Sequence, residues 1–395
     1  MDQLKQPSVL PLGLPHLTST PAPEQPPPAE VPSLVVSERM LPGFTSNLFV
    51  QAHASEAAAA AALLTHAGVG VVYTLGHHRH RSHLQAVGHA VHLTRTAAPT
   101  ADILIDRNRY SGKDRATARS PMSRQWVDDQ LVRLHLPWAM GDPGFASTSA
   151  DVKVVLDDAR RLPDRVIVPL AVPHQLLRDD ADSLLGLVND QAKPVGLILE
   201  HPADPFSTQG VVTGLVHLLR GSDQPVLLLR SDTSALGAVS HGAAAGAIGA
   251  HSALRHVYPI PERDGGGHGE HLAFVIPDLL TYVLADRFSR AYLADPTLRM
   301  WRCGCWFCHG RDLTWIRADR TARSAAFQHS VAAIANLGGQ LHRNIAAGNS
   351  IAAWDAMVTA AQANHFVVSN PSGTMWAPQD FLAHWHQANT GLPVS

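Results

Sequence analysis

The sequence predicts a (β/α)8 barrel followed by an appended zinc-binding subdomain. Three observations predict it. Short apolar runs and helical patterns alternate seven or eight times over about 200 residues. Those runs are continuous rather than alternating, as in a parallel sheet covered on both faces. All three cysteines fall between Cys303 and Cys308, beyond the alternating region. A doubly wound open sheet is the other arrangement of such a pattern. No GxGxxG or Walker pattern follows the first apolar run, which weighs against a nucleotide-binding open sheet.

The composition sets the outer bounds. Of 395 residues, 45% are hydrophobic and 16% charged, which excludes wholesale disorder. Lys plus Arg is 31 and Asp plus Glu is 33, so the formal charge is 31 − 33, or −2. That balance argues against a polyanion-coating protein, while a local basic face stays open. The 24 histidines are scattered, and most read as surface or satisfied core residues. No signal-peptide core and no apolar run of about 18 residues occurs, so no membrane span is expected. An odd, tightly packed cysteine set is a poor disulfide framework and points to the reducing cytoplasm.

The elements follow in order. Residues 1–40 are proline-rich, as in Pro21-Ala-Pro-Glu-Gln-Pro-Pro-Pro28, and read as a disordered tail. The barrel is expected over 41–295. A helix at 55–66 precedes strands at 68–75, 101–106 and 132–136. A helix at 151–161, a strand at 165–171 and a helix at 174–190 come next. Strands at 195–200 and 225–230 are separated by a helix at 210–220. A helix at 234–245 and a strand at 247–250 close the set. The subdomain is expected over 296–350, and a helical segment packing on the barrel over 351–395.

Barrel chemistry sits at the C-terminal ends of strands. That rule selects Asp106, Trp138, Asp142, His174, Gln175, Glu200, His201, Arg230, Asp232 and His251. The histidines His77, His78, His80 and His83 follow the first of these strands and read as a polar rim or loop rather than a second metal site. The glycine-rich Asp264–His268 segment reads as a flexible loop.

Trp301-Arg-Cys-Gly-Cys-Trp-Phe-Cys-His309 holds Cys303, Cys305 and Cys308 in Cys-x-Cys-x-x-Cys spacing. Three thiolates so close can wrap one soft cation, with sulfur about 2.3 Å from zinc. A structural Zn2+ needs a fourth ligand, and His309, His329 and His342 are the downstream choices. His309 is adjacent to Cys308, which makes joint chelation awkward. His329 lies in a helical stretch and is favoured.

A barrel of this length followed by that motif and a histidine-bearing helix resembles the tRNA-guanine transglycosylase superfamily. The superfamily includes queuine and archaeosine enzymes and relatives that insert 7-deazaguanines into DNA. By this resemblance Cys303, Cys305, Cys308 and His329 fall on the zinc ligands, with 20 residues between Cys308 and His329. Ile103-Leu-Ile-Asp106 resembles the strand whose aspartate contacts the purine and works in catalysis. Arg107-Asn-Arg-Tyr-Ser-Gly112 stands where the family has Ser-Gly-Gly-Phe. Pro194-Val-Gly196 lies at the base-pocket strand, and Gly246–Ser252 resembles the segment of the nucleophilic aspartate, with His251 in its place.

The resemblance implies base exchange in tRNA or DNA, which needs a carboxylate at the anomeric carbon and a second acid or base at the purine. Asp106 is the first, with Asp142 or Asp232 as another carboxylate, and His251 as an acid, base or phosphate contact. Gln175, Gly196, Arg107 and Arg109 are candidates for substrate binding. Arg107, Arg109, Lys113, Arg115, Arg119 and Arg124 form a basic stretch for nucleic acid, which Arg302, Arg311, Arg317, Arg320 and Arg323 could extend. An active enzyme and a noncatalytic accessory subunit are the two readings on nucleic acid. A barrel enzyme on a small molecule is the third. A homodimer or heterodimer is a further expectation.

Overall fold

β1 (Leu48–His53) and β2 (Gly70–Thr74) open the barrel as a parallel pair, Phe49 opposite Gly70. This computed structural model describes residues 39–76, 83–260, 272–346, 348–372 and 376–391. β3 (Ile103–Asp106), β4 (Ala139–Met140), β5 (Val166–Pro173), β6 (Val195–Glu200), β7 (Val226–Ser231) and β8 (Ala245–Gly249) complete one sheet. Its order is β3-β2-β1-β8-β7-β6-β5-β4, and every ladder is parallel. β3 and β4 lie side by side, so the ring is nearly closed and the fold is a (β/α)8 barrel.

The strands form because their residues are apolar on both sides. Phe49, Val72, Leu104, Ile167, Ile198, Leu227 and Ala247 face inward and fill the barrel. Val50, Val71, Ile103, Val168, Leu197, Leu228 and Ile248 face outward against the helices. The helices are α1 (Ala57–Ala67), α2 (His83–Ala97), α3 (Arg124–Asp128), α4 (Ser149–Ala159), α5 (Gln175–Asp179), α6 (Ala181–Asn189), α7 (Val211–Gly221) and α8 (Ser234–Ser240). Ser123 and Thr148 accept from the Trp126 and Asp151 N–H groups and so cap α3 and α4. α1 stops at Gly68, whose φ of 60° is the left-handed C-terminal turn.

The structure corrects four boundaries. Leu48–His53, unassigned in the sequence reading, is the first strand, so the numbering of each later strand moves up by one. The strand expected at 132–136 is instead α3 running into a wide turn at Asp129–Arg133, and the strand is Ala139–Met140. Trp126, Val127 and Gln130 are buried at helical spacing there, while Val132 is exposed, so the local alternation has no sheet to join. The helix expected at 174–190 is two helices broken at Asp180. The one expected at 234–245 ends at Ser240, before β8 begins.

Beyond the barrel, β9 (Ala273–Ile276) and β10 (Thr281–Leu284) form an antiparallel hairpin. α9 (Ala285–Ala294), α10 (Thr314–Ala318), α11 (Ala322–Ala346), α12 (Ser350–Ser372) and α13 (Asp380–Thr390) follow. Gly237 on α8 has Trp354 and Trp385 where a Cβ would sit, so α12 and α13 press directly onto α8. No described helix is long and apolar enough to cross a membrane. The 1–38 part of the expected tail, His77, His78, His80 and the Asp264–His268 segment lie outside the described residues. His83 opens α2.

Candidate functional site: the barrel mouth and the Cys3His cluster

Parallel strands bring all C-terminal ends to one face, where Gln51, Thr74, Asp106 and Arg230 meet. Asp106 is 1% exposed and its oxygens accept from four donors. Oδ1 takes the Asn108 N–H at 2.8 Å, and Oδ2 takes the Tyr110 hydroxyl at 2.5 Å, Gln51 Nε2 at 3.2 Å and Thr74 Oγ1 at 3.2 Å. Arg230 donates to Gln51 Oε1 from its backbone and to Asn108 Oδ1 from its guanidinium. Burial, then the neighbouring Asp106 charge, pushes the Tyr110 phenol well above its usual range. The network therefore ties β1, β2, β3 and β7 together with Asp106 as its central acceptor.

Asp142, just past β4, is clamped in the same way. Its Oδ2 lies 2.5 Å from Arg107 Nη1 and 3.0 Å from Arg109 Nη1, and Oδ1 accepts the Ser123 N–H at 2.7 Å. Arg115 pairs with Glu200 and lies 3.7 Å over the Phe145 ring. The basic stretch after β3 thus has Arg107, Arg109 and Arg115 paired within the chain. Its backbone seals the seam between β3 and β4, where Ala116 O accepts the Phe145 N–H at 2.8 Å and Thr117 bridges Phe145. A Cβ on Gly144 would lie 2.1 Å from Thr117 O, so only glycine allows that approach. Lys113, Arg119 and Arg124 remain exposed on this stretch.

Gln175 is exposed at the start of α5. Gly196 lies inside the barrel, where a Cβ would meet Leu229 Cδ1 at 2.7 Å. His251 follows β8, and its Nε2 lies 2.5 Å from Glu56 Oε1. Its ring stacks on Phe327 of α11 at 6.0 Å and on His53 at 5.9 Å. Burial works to raise the Glu56 carboxyl, but the His251 hydrogen bond and charge outweigh it and hold it below the usual range.

Cys303, Cys305, Cys308 and His329 converge. One ligand atom from each falls within 4.8 Å of all the others, and all four residues are buried. His329 Nδ1 lies 3.1 Å from Cys308 Sγ and 3.9 Å from Cys305 Sγ. His329 Nε2 lies 2.7 Å from Val275 O on β9, which fixes the ring with Nδ1 toward the sulfurs. The Cys-x-Cys-x-x-Cys chain turns tightly, with the Cys308 and His309 N–H groups on Cys305 O and the Gly310 N–H on Cys303 O. Burial opposes a charge on His329, yet hydrogen bonds with the Cys303 and Cys305 sulfurs push it up to about 9. Hydrogen bonds from Cys303 and Cys308 pull the Cys305 thiol down. Three sulfurs and one imidazole leave no position open for substrate, the donor set of a structural metal ion. The group could hold such an ion.

Sequence reasoning missed a cavity of about 150 Å³ beside the mouth. Asp204, Asp232, Arg255, His256 and Tyr282 are among its lining residues. Asp232 follows β7 and was legible by the strand-end rule. Asp204 lies four residues beyond β6, past Glu200 and His201, and Arg255 and His256 carry no sequence signal.

No protein-family model matches the sequence, and no curated protein matches it. Solved structures give distant likenesses. The type I 3-dehydroquinate dehydratase of Clostridium difficile is 12% identical with a TM-score of 0.33, covering 54% of this chain and 87% of that one. The YdjI aldolase of Escherichia coli K12 is 9% identical with a TM-score of 0.35, covering 77% and 92%. The carboxyl transferase domain of Rhizobium etli pyruvate carboxylase is 10% identical with a TM-score of 0.35, covering 81% and 57%. The barrel assignment stands on the strand order itself.

Proposed function

We propose that this chain is a divergent transglycosylase-type enzyme that exchanges guanine for a 7-deaza base in tRNA or DNA. The observation that carries the reading is the Cys3His cluster on a barrel. The four residues of the motif converge although Cys308 and His329 are separated by 20 residues. Zinc is the ion this donor set selects. When bound it would pin α11 to the cysteine turn between α9 and α10, with no part in the chemistry. Reduced thiols suit a cytoplasmic protein.

Nucleic acid as partner is supported by charge placement. Arg302, Arg311, Arg317, Arg320 and Arg323 are exposed around the cluster. Arginines so placed would contact phosphates and give a salt-dependent affinity. A noncatalytic binding subunit is favoured by one observation, that Asp106 and Asp142 have their carboxylates taken by in-chain donors.

The test is incorporation of labelled guanine into tRNA and into duplex DNA by the zinc-loaded protein. The expected result is acid-precipitable label in one of the two. Salt-sensitive binding without incorporation would establish the accessory reading instead. Neither binding nor incorporation would leave a small-molecule barrel enzyme.

A further inference from the structure

The cavity beside the mouth holds opposite charges that the fold leaves unjoined. Asp204, Asp232 and Arg255 all line it, yet among the described residues no ion pair connects the arginine to either aspartate. Arg255 acts on Asp232 through its charge alone. Its guanidinium lies 3.3 Å over the Tyr282 ring, with Nε 3.4 Å from Gly249 O. Asp204 is held by the Phe206 N–H and the Ser207 hydroxyl, each at 2.9 Å, and Asp232 by the Ser234 N–H at 2.8 Å. Those neutral donors orient the carboxylates without cancelling their charge. Opposite charges drawn out of water but not in contact recover little of their desolvation cost, so a ligand that bridges them is the natural complement.

His256 on the same lining supplies an independent observation. It is 8% exposed, and its Nε2 has no hydrogen-bond partner. Burial first, then the charges of Arg230, His201 and Arg255, lower its pKa to about 3, so the ring is neutral and can offer a lone pair. Burial, then repulsion from Asp232, pushes Asp204 up to about 8, and Asp380 adds to that repulsion. The acidic part of the cavity is therefore short of positive charge and of hydrogen-bond donors. An ammonium group supplies both, one charge and three N–H donors. The volume of about 150 Å³ is that of a cavity that takes benzene, a ligand of about six non-hydrogen atoms.

We propose that this cavity binds a small zwitterionic amino acid, its ammonium on Asp204, Asp232 and His256 Nε2 and its carboxylate on Arg255. The volume restricts the ligand to the size of glycine, alanine or serine. A carboxylate matches the planar fork of a guanidinium, which is what Arg255 lacks among the described residues. A simple amine would leave that guanidinium without a counterion and would meet its repulsion. A bare divalent cation would meet the same repulsion, and Asp204, Asp232 and His256 do not form a gathered ligand set as Cys303, Cys305, Cys308 and His329 do. The assignment does not rest on the transglycosylase reading, and guanine incorporation tests that reading separately.

Calorimetric titration of the zinc-loaded protein with glycine, L-alanine and L-serine is the experiment. At least one of the three should bind saturably. Ethylamine and propionate each keep one of alanine's two charges, and both should bind at least about 10-fold more weakly than the tightest amino acid. Asp232→Asn keeps the cap on the Ser234 N–H, because asparagine caps as well as aspartate, and should weaken binding by at least about 10-fold. Arg255→Gln should weaken it as much. Thermal unfolding shows whether each variant is folded. Should Arg255→Gln fail to fold, the loss from L-alanine to ethylamine on the wild type reads the same contact. No saturable binding up to about 10 mM overturns the proposal. So does ethylamine or propionate binding as tightly as the amino acid, or undiminished affinity in folded Asp232→Asn.

Discussion

His251 Nε2 and Glu56 Oε1 are held 2.5 Å apart at the C-terminal ends of β8 and β1. The contact joins the loops that leave the paired first and last strands. Both side chains are about a third exposed, so solvent screens the pair and its contribution is modest. A carboxyl held below its usual value stabilises the fold above the unfolded value of 4.5 and loses that contribution as pH falls through its folded value. Glu56→Gln is expected to cost about 1 kcal/mol at neutral pH. The difference from wild type should shrink toward zero in the acid range. Urea unfolding at several pH values checks it, and a pH-independent difference would refute the linkage.

Val275 O and His329 Nε2 make the second expectation. The bond spends one ring nitrogen on β9, so only Nδ1 can serve an ion. His329→Ala should abolish stoichiometric zinc and leave a buried carbonyl unpaired. Stability should fall by at least about 3 kcal/mol. Chelation of the wild type should reproduce most of that loss. Cobalt substitution should give the visible spectrum of a tetrahedral sulfur-rich site. Zinc retained at full stoichiometry in His329→Ala would contradict the assignment, and His342 or His309 would then be the ligand.

Two glycines in neighbouring helices should respond oppositely to one methyl group. On α7, a Cβ at Gly214 would lie 1.9 Å from the Leu177 backbone oxygen of α5. Backbone cannot swing aside as a side-chain tip can, so Gly214→Ala should cost about 2–3 kcal/mol. On α6, Gly186 has nothing within 4 Å of the same position. Gly186→Ala should stabilise by about 0.5–1 kcal/mol. Thermal unfolding of both variants measures the pair.

The fold was legible where apolar runs were long enough to be buried on both faces. β6 was read residue for residue, because Val195–Glu200 is bounded by Pro194 and the His201-Pro turn. β1 escaped because Gln51 interrupts its apolar run, and that residue is polar for the sake of the Asp106 network. The Cys3His group was legible because three of its members sit within six residues and the fourth lies on a strongly helical stretch. The cavity was not, because Asp204 and Asp232 come from separate loops and meet only when β6 and β7 are paired. The pairing of Arg107, Arg109 and Arg115 was hidden for a related reason. Their counterions Asp142 and Glu200 arrive from other strands, so these three charges, which look free along the chain, are paired in the fold.

Tyr110 gives a last expectation. Its hydroxyl makes the shortest of the four bonds to Asp106, and its ring lies 5.6 Å from the Arg230 guanidinium. Tyr110→Phe preserves the ring and removes one donor. Gln51 and Thr74 then remain on Oδ2, each at 3.2 Å. A buried charge stripped of its best donor should cost about 1–3 kcal/mol. The phenol is pushed up by burial and by the adjacent carboxylate, so tyrosinate should form there only on unfolding. Ultraviolet titration compared with the variant tests this, since removing Tyr110 should subtract a tyrosine whose ionisation coincides with loss of structure. If the subtracted group instead ionises near the ordinary tyrosine value of about 10 in folded protein, Tyr110 is not sealed against Asp106 and the mouth is open.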